Sequence, residues 1–198
     1  MFNPKHFRIT DREEILAFLQ RYNFGELISL VDGQLTATHL PFMADGEGRT
    51  LYCHLARANP QWRSLQEQRV LITLWGPHDY ISPTWYQNPG VPTWNYQVLH
   101  VYGHCRVFDE PAEVSQLVDR LAAIHEAGSE RPWQPDYPAS MLKAIVGVEI
   151  EIDEIQCKYK LSQNRPAADH LPVVEQLEQR GAGELAAAMR RTLDLESE

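Results

Sequence analysis

Four short stretches concentrate hydrogen-bond donors, hydroxyls and aromatic rings: His54-Leu-Ala-Arg-Ala-Asn-Pro-Gln61, Ile81-Ser-Pro-Thr-Trp-Tyr86, Val91-Pro-Thr-Trp-Asn-Tyr96 and Lys160-Leu-Ser-Gln-Asn-Arg-Pro166. Residues of these types suit a phosphate, because a dianion taken out of water needs charge-assisted hydrogen bonds from several sides. The chain has neither a G-x-G-x-x-G turn nor a G-x-x-x-x-G-K-[ST] loop to supply them. A bound phosphate would therefore have to be met by side chains on separate strand ends.

Other chemistries find less footing. His100 and His104 are four residues apart in a run that alternates like a strand, which sets them roughly 13 Å from each other at about 3.3 Å per residue. One metal ion cannot span that distance, so no intrinsic metal site is expected. There is no G-x-S-x-G elbow, and Cys53, Cys105 and Cys157 form no C-x-x-C pair, so reduced thiols without a catalytic motif are expected. His54 and Glu149 can be named as acid-base groups but not ranked. Trp85, Tyr86, Trp94 and Tyr96 could stack on a planar ring, although such clusters more often fill cores or subunit interfaces. Ser82, Thr84 and Thr93 could serve a phosphate or simply cap turns beside prolines.

The elements that would carry these groups read mainly as strands. Thr10 to Glu13 fits a capping box, and Ile15, Leu16, Phe18, Leu19 and Tyr22 follow at helical spacing. Phe24 to Val31 and Gln34 to Met43 are β-like runs joined by Asp32-Gly33, a tight-hairpin signal. Strands are expected at Arg49 to Leu55, Arg69 to Trp75, Thr93 to Asp109 and Ile145 to Ile155, with a long aromatic loop from Pro77 to Pro92. A helix opens at Pro111, and the tail after Pro166 is helical with a break at Gly181 to Gly183. Six or seven strands with helices at the ends point to a mainly β, α+β fold, a barrel with helical appendages rather than a doubly wound sheet. Residues 1–166 would form the barrel domain, and 167–198 a helical tail packed on it.

At 198 residues and 43% hydrophobic, the chain suits one substantial core. Its formal charge of -9 disfavours direct DNA binding by the whole surface, leaving an indirect route or a local basic patch. No apolar run of membrane length and no signal-like start occur, so a soluble cytoplasmic protein without a membrane partner is expected.

Together with Thr38-His-Leu-Pro-Phe42, the four donor-rich stretches resemble, in the same order and over nearly the whole chain, the signature segments of the PaiB-type family of negative transcriptional regulators. That resemblance implies an FMN-binding split β-barrel of the pyridoxamine-phosphate-oxidase kind, with FMN between the subunits of a homodimer. It also implies negative control of protease production and sporulation. His54 to Leu65 is further similar to the H-S-A-x-x-G-x-K-x-x-x-L stretch of nitroreductase-like split barrels, with His54, Ala56 and Leu65 matching and Asn59 and Gln61 replacing the Gly and the Lys. In those relatives the Lys lies near the FMN phosphate, so here the charge must come from Arg57, Lys160 or Arg165.

The resemblance thus names His54, Leu55, Ala56, Arg57, Asn59 and Gln61, with Lys160, Ser162, Gln163, Asn164 and Arg165, as the FMN-binding residues. Taken alone, His54 reads equally well as a strand-end histidine bonded to backbone, and Arg57 as a surface charge. Two functions stay open: a homodimeric regulatory flavoprotein, and a flavin-dependent oxidoreductase acting on a small molecule, for which the warrant is fold analogy. Haem handling has no supporting motif beyond available histidines.

Overall fold

The computed structural model describes residues 1–195. Its strands are β1 (Arg8–Ile9), β2 (Phe24–Val31), β3 (Gln34–Pro41), β4 (Met43–Ala44), β5 (Thr50–Ala56), β6 (Arg69–Ile81), β7 (Thr93–Phe108) and β8 (Ile145–Lys160). The helices are α1 (Arg12–Arg21), α2 (Pro111–Glu126), α3 (His170–Gln179) and α4 (Gly183–Leu195). Of the expected tail, residues 196–198 lie outside the described residues.

The chain divides into two compact units. One comprises Leu16–Leu74 and His100–Ile155. The strand order through the sheet is β3-β2-β6-β7-β8-β5-β4. The β2–β3 hairpin closes at Asp32 and Gly33, whose φ values of 51° and 79° are those of the tight turn whose twist matches the strands. Alternation puts Leu51, Cys53 and Leu55 of β5 in the core and leaves Tyr52, His54 and Ala56 on the other face. Burying each of those leucines stabilises the fold by roughly 1.5–3 kcal/mol. On β8, Gly147 pairs with His54, and a Cβ there would meet the Phe108 ring at 2.2 Å, so only glycine lets that ring lie against the strand. Phe108 packs with Val114, Leu117 and Leu121 of α2 and with Leu142.

The other unit comprises Met1–Ile15, Trp75–Leu99 and the chain from Gln156. Here β1 pairs antiparallel with the end of β8, Arg8 opposite Lys158. Helices α3 and α4 bury Val173, Val174, Leu177, Leu185 and Met189.

Two strands outrun their expected ends. β6 continues to Ile81 although Pro77 lacks an N–H. Its pairing with β2 stops at Leu74, so no bond to that neighbour is lost at Pro77. β8 continues from Ile155 to Lys160, and its last turn of sequence buries Lys158 beneath the rings of Phe2, Phe7 and Tyr96 at 5.8, 5.8 and 5.3 Å. The first of the expected loops is correspondingly shorter.

Candidate functional site

The longer β8 delivers Lys160 and the following turn to a polar cavity of about 140 Å³, lined by Tyr86, Thr93, Lys160, Ser162, Asn164 and Arg165 among others. Lys160 Nζ donates to Thr93 Oγ1 at 2.5 Å and to the Trp94 carbonyl at 2.6 Å. Neither partner is a carboxylate, and an ammonium has three protons to place. Burial, with repulsion from Lys158 added, pulls the Lys160 pKa below the ordinary lysine value.

The turn after β8 is held tightly. Ser162 adopts a left-handed φ of 71°, a conformation that costs a non-glycine residue about 1 kcal/mol. Its carbonyl accepts from His170 Nε2 at 2.9 Å and from the Arg165 amide at 2.8 Å, and its hydroxyl accepts from Asn95 Nδ2 at 2.9 Å. Gln163 closes the same turn, accepting from the Leu161 amide and donating to the Tyr159 carbonyl. It is therefore a staple of the turn, not a group facing the cavity.

Arg165 is fixed by Asp169, a fully buried carboxylate that also accepts from the Gln87 and Asn88 amides at 2.9 Å each. Burial would raise the Asp169 pKa, but the Asn88 and Arg165 hydrogen bonds and charge together hold it below the ordinary aspartate value. The guanidinium also donates to the Asn88 and Pro89 carbonyls and lies 4.2 Å from the Tyr86 ring centre. These bonds use Nε and Nη2; Nη1 makes none of them. Sequence reasoning missed Asp169, although its spacing of four from Arg165 is a local signal, and gave no role to Asn95 within the Val91 to Tyr96 stretch, whose partner Ser162 is 67 residues away.

The His54 to Gln61 stretch belongs to the other unit and behaves differently from expectation. Gln61 is 0% exposed, and its amide nitrogen donates to the Leu27 and Thr36 carbonyls and to Ser29 Oγ. Its Oε1 accepts from Thr38 at 2.5 Å, so both ends of the side-chain amide are engaged inside the protein. Asn59 caps the same turn by accepting from the Gln61 amide and donating to Thr38. Arg57 spends Nε and Nη2 on the Lys143 and Ile145 carbonyls and Nη1 on Asp109, a structural clamp with its charge already paired. The Leu55 side chain is in the core, and the Leu55 and Ala56 backbone pairs with Val146 and Ile145. His54 lines a separate, apolar cavity, and its Nδ1 is buried without a hydrogen-bond partner.

His100 Nδ1 is likewise buried and unpartnered, and burial lowers both histidines below the ordinary value of 6.5. A depressed histidine pKa means that the unfolded chain binds more protons as pH falls below 6.5, so folding stability is full above that value and is lost towards the folded pKa. The depressed carboxylates Asp45, Asp153 and Asp169 act only below about pH 4. A urea midpoint measured at pH 8 and pH 5.5 should therefore fall with acidification, and His54→Leu should reduce the fall. An unchanged midpoint would place both imidazoles in contact with water.

Among the aromatics, Trp85 lies under Arg180 at 5.2 Å, whereas Trp94 is 54% exposed and forms a ladder with His78 and Tyr80 at 6.5 and 6.3 Å. No group of three or more His, Cys, Asp or Glu among the described residues is arranged to hold a metal, and no described helix is long and apolar enough to cross a membrane.

Residues 1–154 match the model of the FMN_bind_2 family, described as "Putative FMN-binding domain". The chain is 39% identical over 186 residues to "Protease synthase and sporulation protein PAI 2" of Bacillus subtilis, covering 90% of this chain and 89% of that one. It is 30% identical to an uncharacterized protein of Aspergillus fumigatus, covering 74% of this chain and 77% of that one. Among solved structures, it superposes on the flavocytochrome Anf3 from Azotobacter vinelandii with a TM-score of 0.64 at 17% identity, covering 77% and 69%. The FAD and heme binding protein from Mycobacterium smegmatis gives 0.62 at 16%, covering 77% and 73%. These likenesses show the fold, and with the family match they agree with the expected FMN-binding split barrel.

Proposed function

Because the chain belongs to the PaiB-type family of FMN-binding domains, we propose that it is a homodimeric FMN-holding regulator of transcription, acting negatively in the cytoplasm, with the FMN phosphate in the Lys160 cavity. The observation that carries the phosphate assignment is Lys160 itself: a half-buried ammonium whose two partners are a hydroxyl and a carbonyl. A phosphate oxygen would take the remaining Nζ proton, and Arg165 and Asn164, which line the same cavity, would add further donors. The donor set fits a phosphate: it is cationic, it converges, and its acid, Asp169, is already engaged by Arg165. FMN supplies one- and two-electron redox chemistry when bound; the chain's part is to hold and orient it. A purified sample should show flavin absorption, or regain it on adding FMN.

The dimer rests on the exposed rings. Trp75, 51% exposed, lies 6.1 Å from His78, which in turn meets Trp94, and with Tyr80 these rings form a stripe that a second subunit would cover. Light scattering should give twice the 22.8 kDa chain mass, and Trp94→Glu should shift it towards one chain. A wild-type protein of single-chain mass would remove the dimer.

For the regulatory role, the net charge of -9 argues for action through a partner. Gel shifts with promoter duplexes at physiological salt should show no nanomolar, sequence-selective complex. In cells, deletion should raise a defined set of transcripts that the intact gene lowers again; no change in transcript levels would contradict a repressor.

A further inference from the structure

Asp169 is the last residue before α3, a place where an aspartate commonly accepts from the first amides of the helix that follows. Its carboxylate makes no such bond. It is fully buried and reaches instead to Gln87 and Asn88, 82 and 81 positions earlier in the chain. The two oxygens have separate partners. Oδ1 accepts from the Gln87 and Asn88 amides at 2.9 Å each and from Asn88 Nδ2 at 3.1 Å. Oδ2 accepts from Arg165 Nε at 3.0 Å and from Nη2 at 2.5 Å.

Residues 87–92 are exposed, yet two of their amides end on a carboxylate that has no exposure. The same stretch is fastened again by Arg165, which donates to the Asn88 and Pro89 carbonyls and lies against the Tyr86 ring. A Cβ on Gly90 would meet that ring at 2.6 Å, so the loop folds down onto Tyr86. Tyr86 and Val91, on either side of the fastened residues, are walls of the Lys160 cavity, and so is Arg165. The next residue, His170, holds a further wall through the Ser162 carbonyl. A guanidinium already held along one edge by a carboxylate loses less freedom when it meets a phosphate, and a wall already in place costs the ligand nothing to order.

We propose that Asp169 is the positioning residue of the phosphate cavity, one buried carboxylate that fixes both the arginine and the loop that wall it. This rests on the Lys160 cavity holding the FMN phosphate, and adds that binding of a phosphate monoester is coupled to the seating of residues 86–91.

Asp169→Asn keeps the shape and one acceptor oxygen, but whichever way its amide turns, an NH2 group faces either the Arg165 donors or the loop amides. FMN affinity should fall about tenfold while riboflavin affinity stays the same, so that the preference for the phosphate is what is lost. Added to Arg165→Ala, the substitution should cost no more of that preference, because the amide oxygen can then stay on the loop without opposing a cation. Wild-type protein gives a measurement that no folding defect can obscure: hydrogen exchange at the Gln87 and Asn88 amides. It should slow about tenfold at an FMN concentration ten times the Kd, and not at the same saturation with riboflavin, which carries no phosphate for the cavity.

Equal losses of FMN and riboflavin affinity in Asp169→Asn would make the residue a general support of the fold and overturn the proposal. So would additive losses in the double variant, or loop exchange indifferent to FMN. Equal wild-type affinities for FMN and riboflavin would remove the phosphate assignment, and this proposal with it. A wild-type preference that is lost in Lys160→Met but kept in Asp169→Asn would remove this proposal alone.

Discussion

Gln61→Lys should destabilise the protein by about 3 kcal/mol or more, although it restores the residue that related split barrels carry at that place. The native amide donates to the Leu27 and Thr36 carbonyls and Ser29 Oγ and accepts from Thr38, with no exposed surface. An ammonium cannot accept, so the Thr38 hydroxyl loses its acceptor, and the new charge is buried among neutral groups with no carboxylate among those partners. Urea unfolding at neutral pH measures the loss, and FMN affinity in the folded fraction should not rise. Equal stability together with tighter FMN binding would mean that position 61 can swing out to the phosphate, contrary to its bonding here.

Lys160→Met should weaken FMN binding ten- to a hundredfold, since a hydrogen bond to a charged group is worth roughly 1.5–3 kcal/mol. Methionine keeps most of the length of the side chain and removes the ammonium, with its bonds to Thr93 and the Trp94 carbonyl. Arg165→Ala should weaken FMN as well, but it also strips Asp169 of its cation and so costs stability. Quenching of flavin fluorescence during titration separates the two: Lys160→Met should lose affinity with little change in its urea midpoint. Wild-type affinity in Lys160→Met would move the phosphate elsewhere.

The strands with uninterrupted alternation were legible, because period-two burial and the Asp32-Gly33 turn are local signals. The far halves of β6 and β8 were not: Pro77 reads as a loop residue, and the expected last strand stops at Ile155, short of Lys158 and Lys160. Rings brought from elsewhere, Phe2, Phe7 and Tyr96, together with the Phe2 carbonyl that accepts from its Nζ at 3.1 Å, make Lys158 a tolerable buried cation. Within the candidate site, the Lys160 to Arg165 stretch was visible as a run of donors, and the structure brings Lys160, Ser162, Asn164 and Arg165 to one cavity. Composition could not reveal that the donors of Arg57, Asn59 and Gln61 are spent on Asp109, on Thr38 and on neighbouring backbone. A donor's availability depends on what faces it across the fold, which a linear motif does not record.

The most direct test compares FMN with riboflavin, which has the same ring and ribityl chain but no phosphate, on wild-type protein and on Lys160→Met. If the Thr93, Lys160 and Arg165 cavity holds the phosphate, wild-type protein should bind FMN at least about tenfold more tightly than riboflavin, and Lys160→Met should narrow that gap by lowering FMN affinity alone. Equal affinities for FMN and riboflavin in the wild type, or a gap that survives Lys160→Met, would contradict it.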